Sequence, residues 1–460
     1  MILPLALGFC LPLAAQTLPP LLSLRAEENW SALRDPALRT GAWERIKFIP
    51  LGKTWFLTLG VDFRERYEGY KNEGFGTGTR DGNGYLQHRA FFHADVRSGS
   101  RLRFFGQVKT AHQSWRLGPP RANDIDRLDL HQGFVEAVLI PGRVSLSLRA
   151  GRQEILFGST RLTGVREGPN VRITFDAARM ILRSERGWRI DALISRPVET
   201  RRGLFNDYPE HGRTFWGIYA SRPVRQGSRA IMDAYYFGLA RKQARFFQGQ
   251  ADERRETLGF RFARSPAEAV AFDHDWEIVA QWGRFGGGSI RAWYIATDTG
   301  FTLHGARFRP RLALKANAAS GDRNPLDNRL GTFNAMFPDT RDFREQAFPG
   351  PYNVSQLRPY VETRYSLLGR PAVLNTSWEH FWRTRIGDGL YSFGAVPYRM
   401  TGSSAAHYVG SKPAVVAQWL WNRHWTLTAI YAHFFGARFV REAMAGRSPR
   451  YAAVVVLFRF

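Results

Sequence analysis

At 460 residues, with 44% hydrophobic and 14% aromatic residues, the chain is long enough for several soluble domains or for one large barrel. No uninterrupted apolar run reaches the roughly 18 residues that a membrane helix needs, so the composition favours a transmembrane β-barrel, with a large soluble β-protein as the alternative. The net charge of +25 comes mainly from arginines that recur singly along the chain, which argues against nucleic acid as a partner.

The N-terminus resembles a secretory signal. Residues 1–15 form a short apolar segment, and Ala15 suits the cleavage position. Cys10 is the only cysteine and lies inside this segment, so we expect neither disulfides nor a catalytic thiol in the mature chain. Residues 16–53 carry mixed charges and are predicted to form a periplasmic lead-in, followed by a single barrel over residues 54–460.

From residue 54 the hydrophobic pattern has a period of two. In residues 54–66 (TWFLTLGVDFRER), Leu57, Leu59 and Val61 share an apolar face and alternate with residues that are largely polar. Alternating runs of about ten residues or more are typical of tilted membrane strands. The pattern predicts an antiparallel all-β barrel of 18 strands, at residues 54–66, 86–97, 102–109, 128–140, 143–154, 171–183, 186–195, 213–221, 229–240, 255–264, 274–284, 289–298, 306–318, 354–367, 372–385, 405–420, 425–435 and 451–460.

The connections predict which end of each strand faces the cell. Short ones, such as residues 141–142, 369–371 and 422–424, are expected to be periplasmic turns. The long connections expected to be extracellular loops are 70–83, 112–127, 156–170, 197–212, 241–254, 319–353 and 386–404. The last strand ends at Phe460, as in barrels that present a C-terminal aromatic residue to the barrel-assembly machinery, a predicted partner.

The polar face of each strand is predicted to line the lumen, because an arginine facing lipid costs about 2–4 kcal/mol at mid-bilayer. Guanidinium groups match carboxylates in geometry, so several along one path would pass an anion from site to site. The alternative is a filled barrel whose charges only neutralise one another. The predicted substrate path comprises Arg64, Arg89, Lys109, Arg149, Arg152, Glu154, Arg166, Arg172, Asp176, Arg309, Arg311, Arg358, Arg364 and Arg383, with Arg103, Arg189, Arg261, Arg291 and Lys315 on the same face.

Several motifs resemble the alginate-export family of outer-membrane barrels. They are residues 59–67 (LGVDFRERY), 127–136 (RLDLHQGFVE), 151–154 (GRQE), 166–172 (REGPNVR), 175–176 (FD), 320–322 (SGD), 332–334 (TFN), 337–338 (FP) and 431–435 (YAHFF). The resemblance keeps this order over most of residues 26–460. It implies an 18-stranded barrel with an electropositive constriction shaped by inward loops.

Two stretches are predicted to form that constriction. Within residues 151–183, three arginines (Arg152, Arg166, Arg172) and three acids (Glu154, Glu167, Asp176) are expected to converge, since neighbouring strands lie about 4.8 Å apart. The alternative is that these charges only pin a loop to the wall. The connection 320–350 is long and carries bulky apolar residues, so it is expected to narrow the mouth. Its predicted gating residues are Asp322, Phe333, Asn334 and Phe337.

These observations predict a channel in the outer membrane of a Gram-negative bacterium. The expected substrate is a carboxylated, alginate-like polysaccharide for export. The alternatives are an anion-preferring porin for uptake of organic acids and a plugged structural or hydrolytic barrel. Further expected partners are outer-membrane lipid and periplasmic export proteins. No GxSxG, Walker, HExxH or CxxC motif occurs, so neither catalysis nor a metal or cofactor is predicted.

Overall fold

A computed structural model describes residues 18–76, 84–266, 271–339 and 349–460. The predicted signal segment, residues 1–15, therefore lies outside the described residues. Within them, no helix is long and apolar enough to cross a membrane.

The chain forms one sheet of 22 strands, of which four span two residues each, and the other 18 close into an antiparallel barrel. The long strands, numbered β1 to β18 in chain order, are Trp55–Lys71, Tyr85–Ser98, Leu102–Ser114, Asp126–Ile140, Val144–Gln153, Phe175–Ser184, Arg189–Glu199, Arg213–Pro223, Ala230–Phe246, Gly249–Arg264, Phe272–Phe285, Gly288–Thr302, Arg311–Ala319, Val354–Leu367, Arg370–Arg383, Tyr408–Leu420, Trp425–His433 and Arg450–Arg459. Among the described residues, two short α-helices, α1 (Ala42–Lys47) and α2 (Arg438–Ala443), lie outside the sheet.

Closure comes from pairing between the first and last long strands. β1 pairs antiparallel with β18, so that Asp62 lies opposite Arg459, and it pairs with β2 on its other side. The predicted barrel of 18 strands is thus confirmed.

Several strand boundaries differ from the prediction, and two of the differences concern a predicted loop and a predicted site residue. Residues 241–254, predicted as a loop, are almost wholly strand, because β9 and β10 continue to a turn at 247–248. Ala244 and Phe246 face inward there and are buried, while Arg245 between them is exposed. The strand predicted at 306–318 begins only at Arg311, and Arg309 lies before it in a turn.

Alternation along each strand separates the two faces of the barrel. On β1, Asp62, Arg64 and Arg66 are buried inside, whereas Phe63 and Tyr67 are 37% and 43% exposed on the outer face. Outward aromatic and aliphatic side chains are what a lipid-facing surface requires.

The two ends of the barrel differ in their connections. The end that carries Phe460 has short turns, such as 99–101, 141–143 and 368–369. The opposite end carries the long connections 154–174, 320–353 and 384–407. We assign the first end to the periplasm and the second to the exterior, as in bacterial barrels.

The segment predicted as a lead-in packs against the inner wall at the periplasmic end. Trp30 and Leu33 are buried in a cluster with Phe48 and Phe56. Glu27 accepts a hydrogen bond from Arg149 of β5 at 3.3 Å. Burial acts to raise the pKa of Glu27, but the positive charges of Arg149 and neighbouring arginines outweigh it and lower the pKa to about 2.

Candidate functional site

The connection 154–174, here called the crossing loop, spans the lumen. On one side, Arg64 of β1 donates to the carbonyl of Glu167 at 2.7 Å, and Arg89 of β2 donates to the Glu167 carboxylate at 2.6 Å. On the other side, Arg161 donates to Asp275 and Glu277 of β11 at 2.9 and 2.8 Å. Because β2 and β11 lie on opposite sides of the barrel, the loop divides the interior.

The connection 320–353, here called the gating loop, joins the crossing loop inside the barrel. The backbone NH of Phe337 donates to the Leu162 carbonyl, and the NH of Gly164 donates to the Phe337 carbonyl, both at 2.9 Å. The Phe337 ring packs edge-on against Phe175 at 5.0 Å and Phe215 at 5.3 Å. The two loops together thus form one apolar core against the wall of β6 to β12.

The other gating residues hold this loop in place. Phe333 stacks on Tyr294 with ring centroids 4.9 Å apart. Asn334 donates to Glu253 at 3.1 Å. The backbone NH of Asp322 donates to Asp388 of the connection 384–407 at 2.9 Å. Burial and the charge of Asp388 raise the pKa of Asp322 to about 6.

Two cavities lie along the wall of β10 to β16. A water-accessible cavity of about 90 Å³ near the periplasmic end is lined by Asp298, Arg311, Arg364 and their neighbours. A smaller cavity of about 10 Å³ toward the exterior is lined by residues that include Glu379 and Lys412.

A row of five charged side chains, here called the charged row, runs around the wall between the two cavities, with Asp298 at one cavity and Glu379 and Lys412 at the other. In order around the wall from β12 to β16, its members are Asp298, Lys315, Arg358, Glu379 and Lys412. Lys315 lies 3.8 Å from Asp298, and Arg358 and Lys412 lie 3.5 and 3.4 Å from Glu379. Among the described residues, two carboxylates thus lie beside these three cations.

Two further arginines extend this positive surface to the periplasmic cavity. Arg311 donates to Asp273 at 2.5 Å and to Tyr360, and it lies 3.2 Å from Asp298. Arg364 pairs with Glu362 at 3.0 Å and keeps 40% of its side chain exposed. A carboxylate that enters this cavity would therefore meet guanidinium groups that are already oriented by acidic partners.

The structure brings together only part of the cluster predicted within residues 151–183. Arg172 donates to Glu154 at 3.2 Å and pairs with Glu167, inside the lumen beside Arg89. Arg152 and Asp176 instead pair with each other at 2.9 Å.

The placement of this pair is a correction to the prediction. The two residues lie opposite each other at the extracellular ends of β5 and β6, on the same face of the wall as the exposed Leu148 and Met180. Arg149 faces the lumen, and a residue three positions further along a strand points to the opposite face.

Four other predicted residues are buried in structural contacts or lie away from the cavities. Arg166, in the crossing loop, lies near Asp339 and Tyr352, and burial lowers its pKa. Arg309 is exposed in the turn before β13, which corrects its predicted place in the lumen.

Arg383 is also placed differently from the prediction. It donates to the carbonyls of Ser404 and Ala406 at 2.7 and 2.8 Å and so anchors the connection 384–407. Lys109 is 1% exposed and pairs with Asp126 and Asp207 at 2.8 and 2.6 Å. The carboxylates of these two residues and Asp129 lie within 4.8 Å of one another, and the lysine offsets part of their charge.

Several participants were not predicted from the sequence, among them Asp298, Lys412 and Glu27. Lys412 stands on the inward face of β16, and its signal was a single lysine in a largely apolar strand. Glu27 enters the barrel from outside the strand region, and the alternation of strands could not have located it.

Comparisons with known proteins agree with the barrel fold. The family model described as alginate export matches residues 56–454, which is most of the chain. No curated protein matches the sequence.

Solved structures similar to the chain are outer-membrane proteins of Pseudomonas aeruginosa. OpdK with vanillate has a TM-score of 0.56 at 10% identity, covering 88% of this chain and 98% of its own. OccK2 (OpdF) in complex with glucuronate has a TM-score of 0.53 at 13% identity, covering 88% and 96%. OccD3 (OpdP) has a TM-score of 0.57 at 10% identity, covering 90% and 93%. At such identities the likeness concerns the fold alone.

Proposed function

Because this chain belongs to the alginate-export family of outer-membrane β-barrels, we propose that it is a channel for carboxylated saccharides, with the charged row as its selectivity constriction. An outer-membrane channel follows from the family and the barrel. The anionic, alginate-like substrate and its export are the proposal.

The observation that carries the proposal is the position of the charged row. The crossing loop and the gating loop fill the lumen along β6 to β12, and the two cavities lie beside this filled part, along β10 to β16. A solute that moves between the two cavities must pass the charged row. Lysine and arginine held at fixed positions by carboxylates bind an anion without releasing their own partners, which keeps binding loose enough for passage.

The second candidate is an uptake porin for small organic acids. It is favoured by the similar structures that contain vanillate and glucuronate, both of which are carboxylates. The two candidates share the charged row and differ in the size of the substrate.

Current block in a planar bilayer separates these candidates. We expect oligouronates added to one side to interrupt the ion current, whereas neutral oligosaccharides of equal length do not. R358Q should weaken the block several-fold, because it removes one cation of the row, while R370Q, at the exposed start of β15, should not. The double variant R358Q/E379Q restores the net charge and should recover much of the block. Block by monomeric organic acids but not by oligomers would favour the uptake porin.

A further inference from the structure

The outer surface of the barrel carries a second group of arginines, which the lumen does not use. Arg254 on β10 lies directly opposite Arg284 on β11, and Arg284 is opposite Ser289 on β12. Ser289 in turn pairs with Arg329 of a two-residue strand. Arg291 follows two residues after Ser289. We call Arg254, Arg284, Arg291 and Arg329 the outer arginine patch.

All four side chains of this patch face outward. Arg254 is flanked by Glu253 and Arg255, which are buried inside, and its own side chain is 72% exposed. Arg291 follows the buried Ile290 and is exposed. Its predicted place on the lumen face is therefore wrong, since residues adjacent in a strand point to opposite faces.

The patch lies at the level where lipid headgroups meet the barrel. Trp282, opposite Arg291, and Trp293 are 43% and 39% exposed on the outer face. Below them, Ile278 and Ile295 continue the apolar surface toward the periplasm. Aromatic residues mark the membrane interface in outer-membrane barrels, so Arg291 stands at the level of the interface and the other three arginines just beyond it on the extracellular side.

The positive charge of this patch is scarcely compensated. Glu256 lies 3.4 Å from Arg254 but also accepts a hydrogen bond from Tyr236. Within the described ranges, the guanidinium groups of Arg284, Arg291 and Arg329 have no carboxylate or hydrogen-bond partner. Like charges directly opposite each other destabilise a pair of strands, so a bound anion would relieve this repulsion.

We propose that the outer arginine patch binds the phosphate groups of a phosphorylated glycolipid in the outer leaflet. Neighbouring strands lie about 4.8 Å apart, which lets several guanidinium groups reach one phosphate. Arginine binds phosphate in a bidentate manner, and each such contact is charge-assisted. A lipid fits better than a free anion, because acyl chains below the phosphate would cover Trp282 and Trp293.

The test is a lipid titration of the purified full-length protein in detergent, followed by native mass spectrometry. The ligand is bis-phosphorylated lipid A, compared with the same lipid after removal of its phosphates. R284Q/R291Q should weaken binding of the phosphorylated lipid at least about tenfold, since it removes two guanidinium groups that make charge-assisted contacts with phosphate. The matched control R101Q/R370Q removes two exposed arginines at the periplasmic end and should bind like the wild type.

Three outcomes would overturn the proposal: equal binding by R284Q/R291Q, an equal loss in the control, or equal binding of dephosphorylated lipid by the wild type. Displacement of the lipid by equimolar inorganic phosphate would indicate a site for free anions and would also contradict it. A difference in gel mobility between unheated and heated samples, which folded barrels show, checks that each variant is folded. The comparison of the two lipids on the wild type needs no variant. None of these measurements depends on transport, so they stand apart from the proposed channel function.

Discussion

At the scale of single residues, most arginines of the lumen are held in ion pairs with nearby acids. The pairs differ in burial, and this difference predicts which arginines support the fold. Arg172 is 1% exposed between Glu154 and Glu167, whereas the Arg152–Asp176 pair has 10% and 31% of its side chains exposed.

R172Q should therefore destabilise the barrel much more than R152Q. Removing one partner of a buried pair leaves an uncompensated charge and costs about 3–5 kcal/mol, while a partly exposed pair such as Arg152–Asp176 contributes less. We expect R172Q to lower the temperature at which the folded band disappears on a gel, and R152Q to leave it within a few degrees of the wild type. Equal shifts for both variants would contradict the assigned faces.

Asp322 predicts a dependence on pH. A carboxyl whose folded pKa is raised contributes stability below its unfolded pKa, and that contribution is lost as the pH rises through the folded pKa. With a folded pKa of about 6, Asp322 becomes charged beside Asp388 as the pH rises from 5 to 8, so the gating loop should loosen from the connection 384–407. The protection factors of the amides in residues 320–339, which correct for the faster intrinsic exchange at high pH, should be lower at pH 8 than at pH 5. D322N should remove most of this difference, and a wild-type exchange pattern in D322N would refute the assignment.

The faces of many charged residues were predictable, because a strand fixes them by parity. Arg64, Arg89 and Arg358 lie inside, as alternation predicts. Arg152 could not share a face with Arg149, three residues away on the same strand, so their joint place in the lumen was inconsistent with the period. The partners of Arg383 could not be foreseen, because they are loop carbonyls that no pattern of side chains reveals.

At the scale of elements, the strands were far more predictable than the loops. The alternation of apolar and polar residues repeats all along a strand and can be recognised in the sequence. An inward loop is instead positioned by contacts between residues distant in sequence, such as Leu162 with Phe337. The composition of the gating loop indicated that it folds, but not that it joins the crossing loop.

F337A should release the gating loop. The Phe337 ring is 1% exposed and packs against two aromatic rings, and loss of such a ring from a core costs about 3–5 kcal/mol. We expect a higher single-channel conductance with an intact barrel, measured in a planar bilayer. L326A is the matched control on the same loop, since Leu326 is 92% exposed. Unchanged conductance in F337A would place the gating loop outside the permeation path.

At the scale of the whole molecule, the barrel separates its arginines into two populations. Those inside are largely paired with acids, and some of them line the cavities along β10 to β16, whereas the outer arginine patch faces the extracellular headgroups. The net charge of +25 thus suits two anionic environments. Sequence could predict the excess charge but not its division between the two faces, which depends on the register of each strand.

We propose above all that the charged row makes the channel selective for anions. The most direct measurement is the reversal potential of the wild-type protein in a planar bilayer under a gradient of KCl. We expect a reversal potential whose sign shows that the channel prefers chloride to potassium, and a shift of this potential toward zero in R358Q but not in R370Q. A reversal potential whose sign shows preference for potassium would contradict the proposed selectivity for anions.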